Sequence, residues 1–326
     1  MVNKQTKLSK DEYAELALKA LEKAFPDYKI EPAGFGANLV SMKDKNISID
    51  VNLSFNYGVS QTVSSFKSVI ESTREAISLM ENMNNKEYLL SHIRVTVFCK
   101  SAFDRYMARI KHDGATKPNS PAKDTTLISM PSTVPDTVIT LVIDASHIRS
   151  IVSSHTLKIM DLPIYDVITR AVENNIRMLP DFGKAIETKK IDKYTITVLF
   201  THGMEVAYLL CAPTELKKYI PSRSIAIAPT TDFLMYLPCP ADISDSELAD
   251  LYWRQSDMAK TSITEEKVSK EVSGKPFIIN VDGTISPVIF KCMPEGTTGK
   301  FFVCTDNGTG KPDIGTAMGE RFDTRR

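Results

Sequence analysis

Ser224-Ile225-Ala226-Ile227-Ala228-Pro229-Thr230-Thr231-Asp232-Phe233-Leu234-Met235-Tyr236-Leu237-Pro238 reads as two short apolar strands around a polar tight turn. A looser version stands about a hundred residues earlier: Leu127-Ile128-Ser129-Met130-Pro131-Ser132-Thr133-Val134-Pro135-Asp136-Thr137-Val138-Ile139-Thr140-Leu141. Both run strand, proline, Ser/Thr pair, aspartate, strand, the pattern expected of one module used twice.

Outward from these hairpins, the chain alternates helix and strand signals. Ser9-Lys10-Asp11-Glu12 is a capping box, in which a serine and a glutamate three residues on satisfy free amides at a helix start. Tyr13, Leu16, Ala17, Ala20, Leu21 and Ala24 follow at helical spacing, and Pro26 ends the run. Strands are expected near 28–32, 37–42 and 46–55. In the third, Ile47, Ile49, Val51, Leu53 and Phe55 alternate with polar residues, as in an antiparallel sheet with one wet face. Gly58 breaks it, and a helix is expected from Gln61 to Met83. Ile93, Val95 and Val97 give a further strand. Residues 111–124, poor in apolar groups and carrying Pro and Gly, read as a surface insertion.

Past the first hairpin, Asp161 and Pro163 open a helix whose apolar side runs from Ile164 to Ile176 or Leu179. Strands are expected at Ile196–Phe200 and Val206–Leu210, and a short helix at Thr214–Tyr219. Ser244-Asp245-Ser246-Glu247 is a second capping box, ahead of Leu248, Leu251, Tyr252 and Met258. Strands at Phe277–Val281 and Val288–Phe290 flank an Asp282-Gly283 turn. From Pro294 onward, Gly, Thr and charge predict a loosely structured tail.

Composition narrows the function classes. Among 326 residues, forty basic side chains balance forty acidic ones, so no net charge draws the chain to nucleic acid or anionic lipid. No apolar run reaches the roughly 20 residues that span a bilayer. Met1 to Lys7 carries basic residues with no apolar core behind it, unlike a signal peptide. Five cysteines without CxxC spacing fit a reducing compartment, and the expected localisation is cytoplasmic.

With the elements placed, Asn175-Ile176-Arg177-Met178-Leu179-Pro180, a helix end reading N-x-R-x-L-P, resembles a pattern of the YtpQ-like proteins of Gram-positive bacteria. Their later strand, Pro-x-x-Asp turn and apolar strand match Ile225 to Leu237. Ile93-Arg94-Val95-Thr96-Val97 followed by Phe103-Asp104 is similar to an earlier strand of that family. The likeness covers about residues 90–290 and implies kinship of fold. The family supplies no activity to transfer.

Motifs with chemistry are sparse. Gly296 to Lys300 and Asn307 to Lys311 approach a phosphate loop but lack its spacing, and Phe301 and Pro312 stand where Ser or Thr is needed. Ser153 or Ser154, His155 or His147, and Asp144 compose a nucleophile triad on paper, without a nucleophile elbow. Asp144, His147 and His202 are therefore the catalytic candidates, against hydrogen-bonded turns as the plain alternative. Asp144 with His147 lacks further ligands for a metal. Candidate binding residues are Arg177, a cation at a helix C-terminus; its neighbour Asn175; Asp232, which alternatively fixes its turn; and Trp253, either core or partner anchor.

The expected fold is α+β: an N-terminal helix–three-strand–helix module followed by two related antiparallel strand-hairpin units packed with helices. The expected divisions are 1–88, 89–160, 161–293 and a tail at 294–326. The expected function is a cytoplasmic, non-enzymatic adaptor acting through a protein partner or self-association, with no cofactor, metal, membrane or nucleic acid. The alternative is a small-molecule binder or enzyme with a cleft between the hairpin units.

Overall fold

The structure is a computed structural model that describes residues 7–44, 48–116, 126–145, 148–182, 186–191, 194–201, 203–262 and 272–289. It is a mixed α+β protein whose paired strands are antiparallel wherever their register is defined. In chain order the elements are α1 (Lys10–Ala24), β1 (Tyr28–Pro32), β2 (Gly36–Ser41), β3 (Ser48–Asn52), α2 (Ser54–Val59), α3 (Phe66–Asn82), α4 (Lys86–His92), β4 (Ile93–Cys99) and α5 (Lys100–Thr116). Then come β5 (Ser129–Pro131), β6 (Thr137–Ala145), β7 (Ile148–Ile151), α6 (Ser154–Met160), α7 (Ile164–Met178), β8 (Ile186–Ile191) and β9 (Tyr194–Phe200). Last are α8 (Glu205–Leu209), α9 (Pro213–Tyr219), β10 (Ser224–Thr230), β11 (Phe233–Pro238), α10 (Asp245–Ser262), β12 (Phe277–Ile279) and β13 (Ile285–Pro287). The chain divides into two compact units, each made of two separate stretches: residues up to Ile93 with Val142–Val167, and Arg94–Leu141 with Ile168 onward.

In the first unit, α1 opens on the expected capping box. Ser9 Oγ accepts the Glu12 amide at 3.4 Å, and the Ser9 amide donates to Glu12 Oε2 at 2.9 Å. The Ser9 hydroxyl also donates to that carboxylate at 2.7 Å and holds Glu12 below the usual carboxyl range. Tyr13, Ala17 and Leu21, four residues apart, turn to the core and meet the sheet β1-β2-β3. Gly36 is required where β2 passes β3, because a Cβ there would lie 2.1 Å from the Val51 carbonyl oxygen. The strand expected to reach Phe55 stops at Asn52, whose Oδ1 takes the Ser54 amide at 2.8 Å and turns the chain into α2. Gly58 therefore lies inside a helix, and the helix expected from Gln61 begins as a 3-10 turn at Val63–Ser65 before α3. Ile148 of β7 packs against the same core.

The second unit centres on a six-stranded sheet in the order β13-β12-β10-β11-β9-β8. Every residue of β10 is buried. Its alternation sorts side chains by size: Ile225 and Ile227 meet Leu248 and Leu251 of α10, while Ala226 and Ala228 meet Val206 of α8 and Leu216 of α9. The small alanines leave room for a close layer on that face. The apolar run expected as a strand at Val206–Leu210 is helix α8. It is buried on all sides, so its periodicity could not tell helix from strand, and its first amides are held by the Thr231 carbonyl at 3.1 and 3.4 Å. The edge strand β8, IETKKI, carries too little apolar signal to be read from sequence, and its lysines suit a sheet edge. Among the described residues the last strand is Ile285–Pro287, and Val288 and Ile289 follow it outside any strand. Gly283, at φ 83°, closes that hairpin where a Cβ would lie 2.0 Å from the Pro213 carbonyl oxygen.

Both proline-containing segments are strand–turn–strand. Ser129↔Thr140 to Pro131↔Val138 define one, and Ser224↔Pro238 to Thr230↔Phe233 the other. The first strand neighbours β6, which neighbours β4; β10 neighbours β11, which neighbours β9. The turns differ in length. The first ends in Asp136 at φ 57°, and the second is Thr231–Asp232. Residues 111–116, expected in a loop, continue α5, and 117–124 lie outside the described residues, as does the tail from 290 with its glycine-lysine tracts.

Candidate functional site

The connection between α6 and α7 presents the first candidate. Asp161, expected to cap α7, instead closes α6 in the left-handed region at φ 48°, its amide bonded to the Leu157 carbonyl at 3.2 Å. The Pro163 carbonyl takes the amides of Asp166 and Val167 at 3.0 and 3.1 Å, which starts α7 at Ile164. Between buried Met160 and buried Val167 the chain turns its side chains outward. Leu162-Pro163-Ile164-Tyr165 is a run of consecutive exposed apolar residues, with Leu162 37%, Ile164 44% and Tyr165 76% accessible. A shallow depression of about 470 Å³ beside it is lined by Leu157, Lys158, Asp161, Leu162 and Pro163. Lys86 Nζ stands 3.7 Å from the Asp161 carboxylate, so charge borders the apolar centre.

The second candidate is a cavity of about 380 Å³ between α10 and the β9–β11 side of the large sheet. Tyr194, Ile196, Leu237, Leu251 and Met258 line it with Gln255 and the charged Arg254 and Asp257.

The residues singled out from sequence have separate surroundings. Asn175 is fully buried and holds the backbone of Val95 in β4. Arg177 is exposed near the end of α7, 3.8 Å from Glu173 one turn back. Asp232 accepts the Thr230 hydroxyl at 2.7 Å within its turn. Trp253 is half-buried against the α10 core and meets the Tyr252 ring edge-on at 5.5 Å. None of these four lines the cavity under α10. Asp144 is paired with Arg149 across β6 and β7, Nε to Oδ1 at 2.9 Å, which is the register partner of its strand. Ser153 caps α6 by accepting the Thr156 amide at 3.1 Å. His147 and His202 lie outside the described residues. Among the described residues no three His, Cys, Asp or Glu side chains are grouped to hold a metal, and no helix is long and apolar enough to cross a membrane.

Sequence reasoning missed both candidates. Leu162 to Tyr165 reads as the apolar start of an amphipathic helix, and only the turn at Asp161 aims it outward. Gln255 did leave a signal: it falls four residues after Leu251 and three before Met258, a polar residue in an apolar stripe.

No protein-family model matches the chain, and no curated protein or solved structure matches it either.

Proposed function

We propose that this is a non-catalytic binding protein that works through protein–protein contact, and that Leu162 to Tyr165 is where it meets its partner. One observation carries the reading: four consecutive apolar residues are exposed at a helix start, which natural sequences avoid unless the surface is used. An apolar centre beside Lys158, Lys86 and Asp161 has the composition of a contact surface, with charge kept to the rim. A cytoplasmic setting and kinship with the YtpQ-like proteins, on the Asn175–Pro180 helix end and the Ile225–Leu237 hairpin, belong to the same proposal.

The two hairpins are read as copies of one module. In each, the carbonyl of the turn aspartate accepts the amide one residue past the strand that flanks the hairpin: Lys100 to Asp136 and Thr201 to Asp232, both at 2.8 Å. The strand orders β4-β6-β5 and β9-β11-β10 correspond.

The test replaces Tyr165 with a photo-cross-linking amino acid in the full chain and combines cross-linking with light scattering. The reading expects a discrete cross-linked product, either a dimer or one defined partner, that disappears in Leu162→Asp. A strictly monomeric chain that captures nothing from position 165 would overturn it.

A further inference from the structure

The cavity under α10 holds an unanswered hydrogen-bond acceptor. Gln255 is 1% accessible, and its Nε2 donates to the Ile225 carbonyl at 3.0 Å, which fixes the side-chain amide. Its Oε1 is buried and has no partner among the described residues. A buried acceptor left without a donor is costly, and such groups in native proteins call for an explanation. Here the explanation lies in the space that Gln255 lines.

That space is suited to a small molecule. About 380 Å³ is at the lower end of the range for ligand pockets, and its walls are chiefly Tyr194, Ile196, Leu237, Leu251 and Met258. Two charged residues, Arg254 and Asp257, also line it, both exposed overall and so at its rim. Arg254 Nε donates to Asp250 Oδ2 at 3.0 Å, and the guanidinium stands 5.9 Å from the centre of the Tyr194 ring. Tyr194 in turn donates its hydroxyl to the same Asp250 oxygen at 3.3 Å, which fixes this wall. A side chain already neutralised offers little to a charged ligand. A chiefly apolar cavity with one buried acceptor, its charged residues kept to the exposed rim, selects for a neutral molecule with one donor.

We propose that this pocket binds a small, neutral, predominantly apolar molecule carrying a single hydroxyl or N–H group, which donates to Gln255 Oε1. The site uses none of the residues at Leu162 to Tyr165, so it stands apart from the protein-contact reading.

The test titrates the full chain with 2-naphthol and with 2-methoxynaphthalene, a near-equal shape without the donor, and follows both by calorimetry and ligand-observed NMR. 2-Naphthol is expected to bind about tenfold more tightly than the ether, the effect of one buried hydrogen bond. Gln255→Leu should erase that difference. Met258→Trp, which fills the cavity from α10, should abolish binding of both. Failure of 2-naphthol to bind, equal affinity for the two compounds in the unmodified chain, or retained naphthol binding in folded Met258→Trp would each overturn the proposal. If either variant fails to fold, the ratio measured on the unmodified chain decides the question alone.

Discussion

The side chain of Asn175 answers both backbone groups of Val95: Nδ2 donates to the Val95 carbonyl at 2.6 Å, and Oδ1 accepts the Val95 amide at 3.3 Å. A helix side chain thus does for β4 what a neighbouring strand would do, at a fully buried position. Removing it strands two backbone groups in the core. Asn175→Ala is expected to lower stability by ~3 kcal/mol, and Asn175→Asp by a similar amount, because a carboxylate cannot donate to the Val95 carbonyl. The shift in the urea midpoint at constant slope measures both.

The alternation in β10 gives a second expectation. Ala226→Leu overfills the face shared with α8 and α9 and should cost about 1–3 kcal/mol. Ile227→Ala opens a hole on the α10 face and should cost about 2–5 kcal/mol. Because the two side chains point to opposite faces, volume lost on one cannot relieve volume gained on the other. The double variant should therefore be less stable than either single. A double variant more stable than either single would show that the faces are not separate.

Burial pushes the Cys211 thiol up to about 12 from its ordinary value of 9.0, the Val97 backbone giving only partial relief. The native protein then keeps this proton where the unfolded chain has lost it. Stability is fully present below pH 9 and falls by ~1.4 kcal/mol per pH unit between about 9 and about 12. Cys211 is half-buried as a residue, with its thiol desolvated. It should react slowly with iodoacetamide at pH 8 and faster once urea unfolds the chain, and equal rates in the two states would contradict that desolvation.

Substitutions in the exposed run should separate binding from folding. Leu162→Ser and Tyr165→Ser are expected to change stability by no more than about 0.5 kcal/mol, as exposed side chains do. Thermal melting checks this beside the cross-linking yield. A melting temperature that drops by many degrees would place these side chains in a core instead.

Much of the fold was legible where local chemistry acts alone. Ser9 and Glu12 announce α1, and Ser244, whose Oγ accepts the Glu247 amide at 3.3 Å, announces α10. The hairpin at Ser224–Pro238 could be read because apolar alternation and turn residues agree. What escaped depends on partners distant in sequence. Helix α8 is fixed by Thr231, some 25 residues away, and β8 exists because β9 offers it an edge. The candidate sites escaped for the same reason. The exposure of Tyr165 follows from one left-handed aspartate, and the meaning of Gln255 follows from an acceptor that only three-dimensional packing can leave vacant.

The first compact unit takes Val142–Val167 from beyond an intervening stretch that belongs to the other. During synthesis, its core therefore waits for Ile148, and the ribosome has delivered Arg94–Leu141 before that side chain emerges. A protease cut or an expression boundary near residue 93 severs a body instead of freeing one. Isolating either half calls for a spliced gene that joins Ile93 to Val142, or Leu141 to Ile168, through a designed linker.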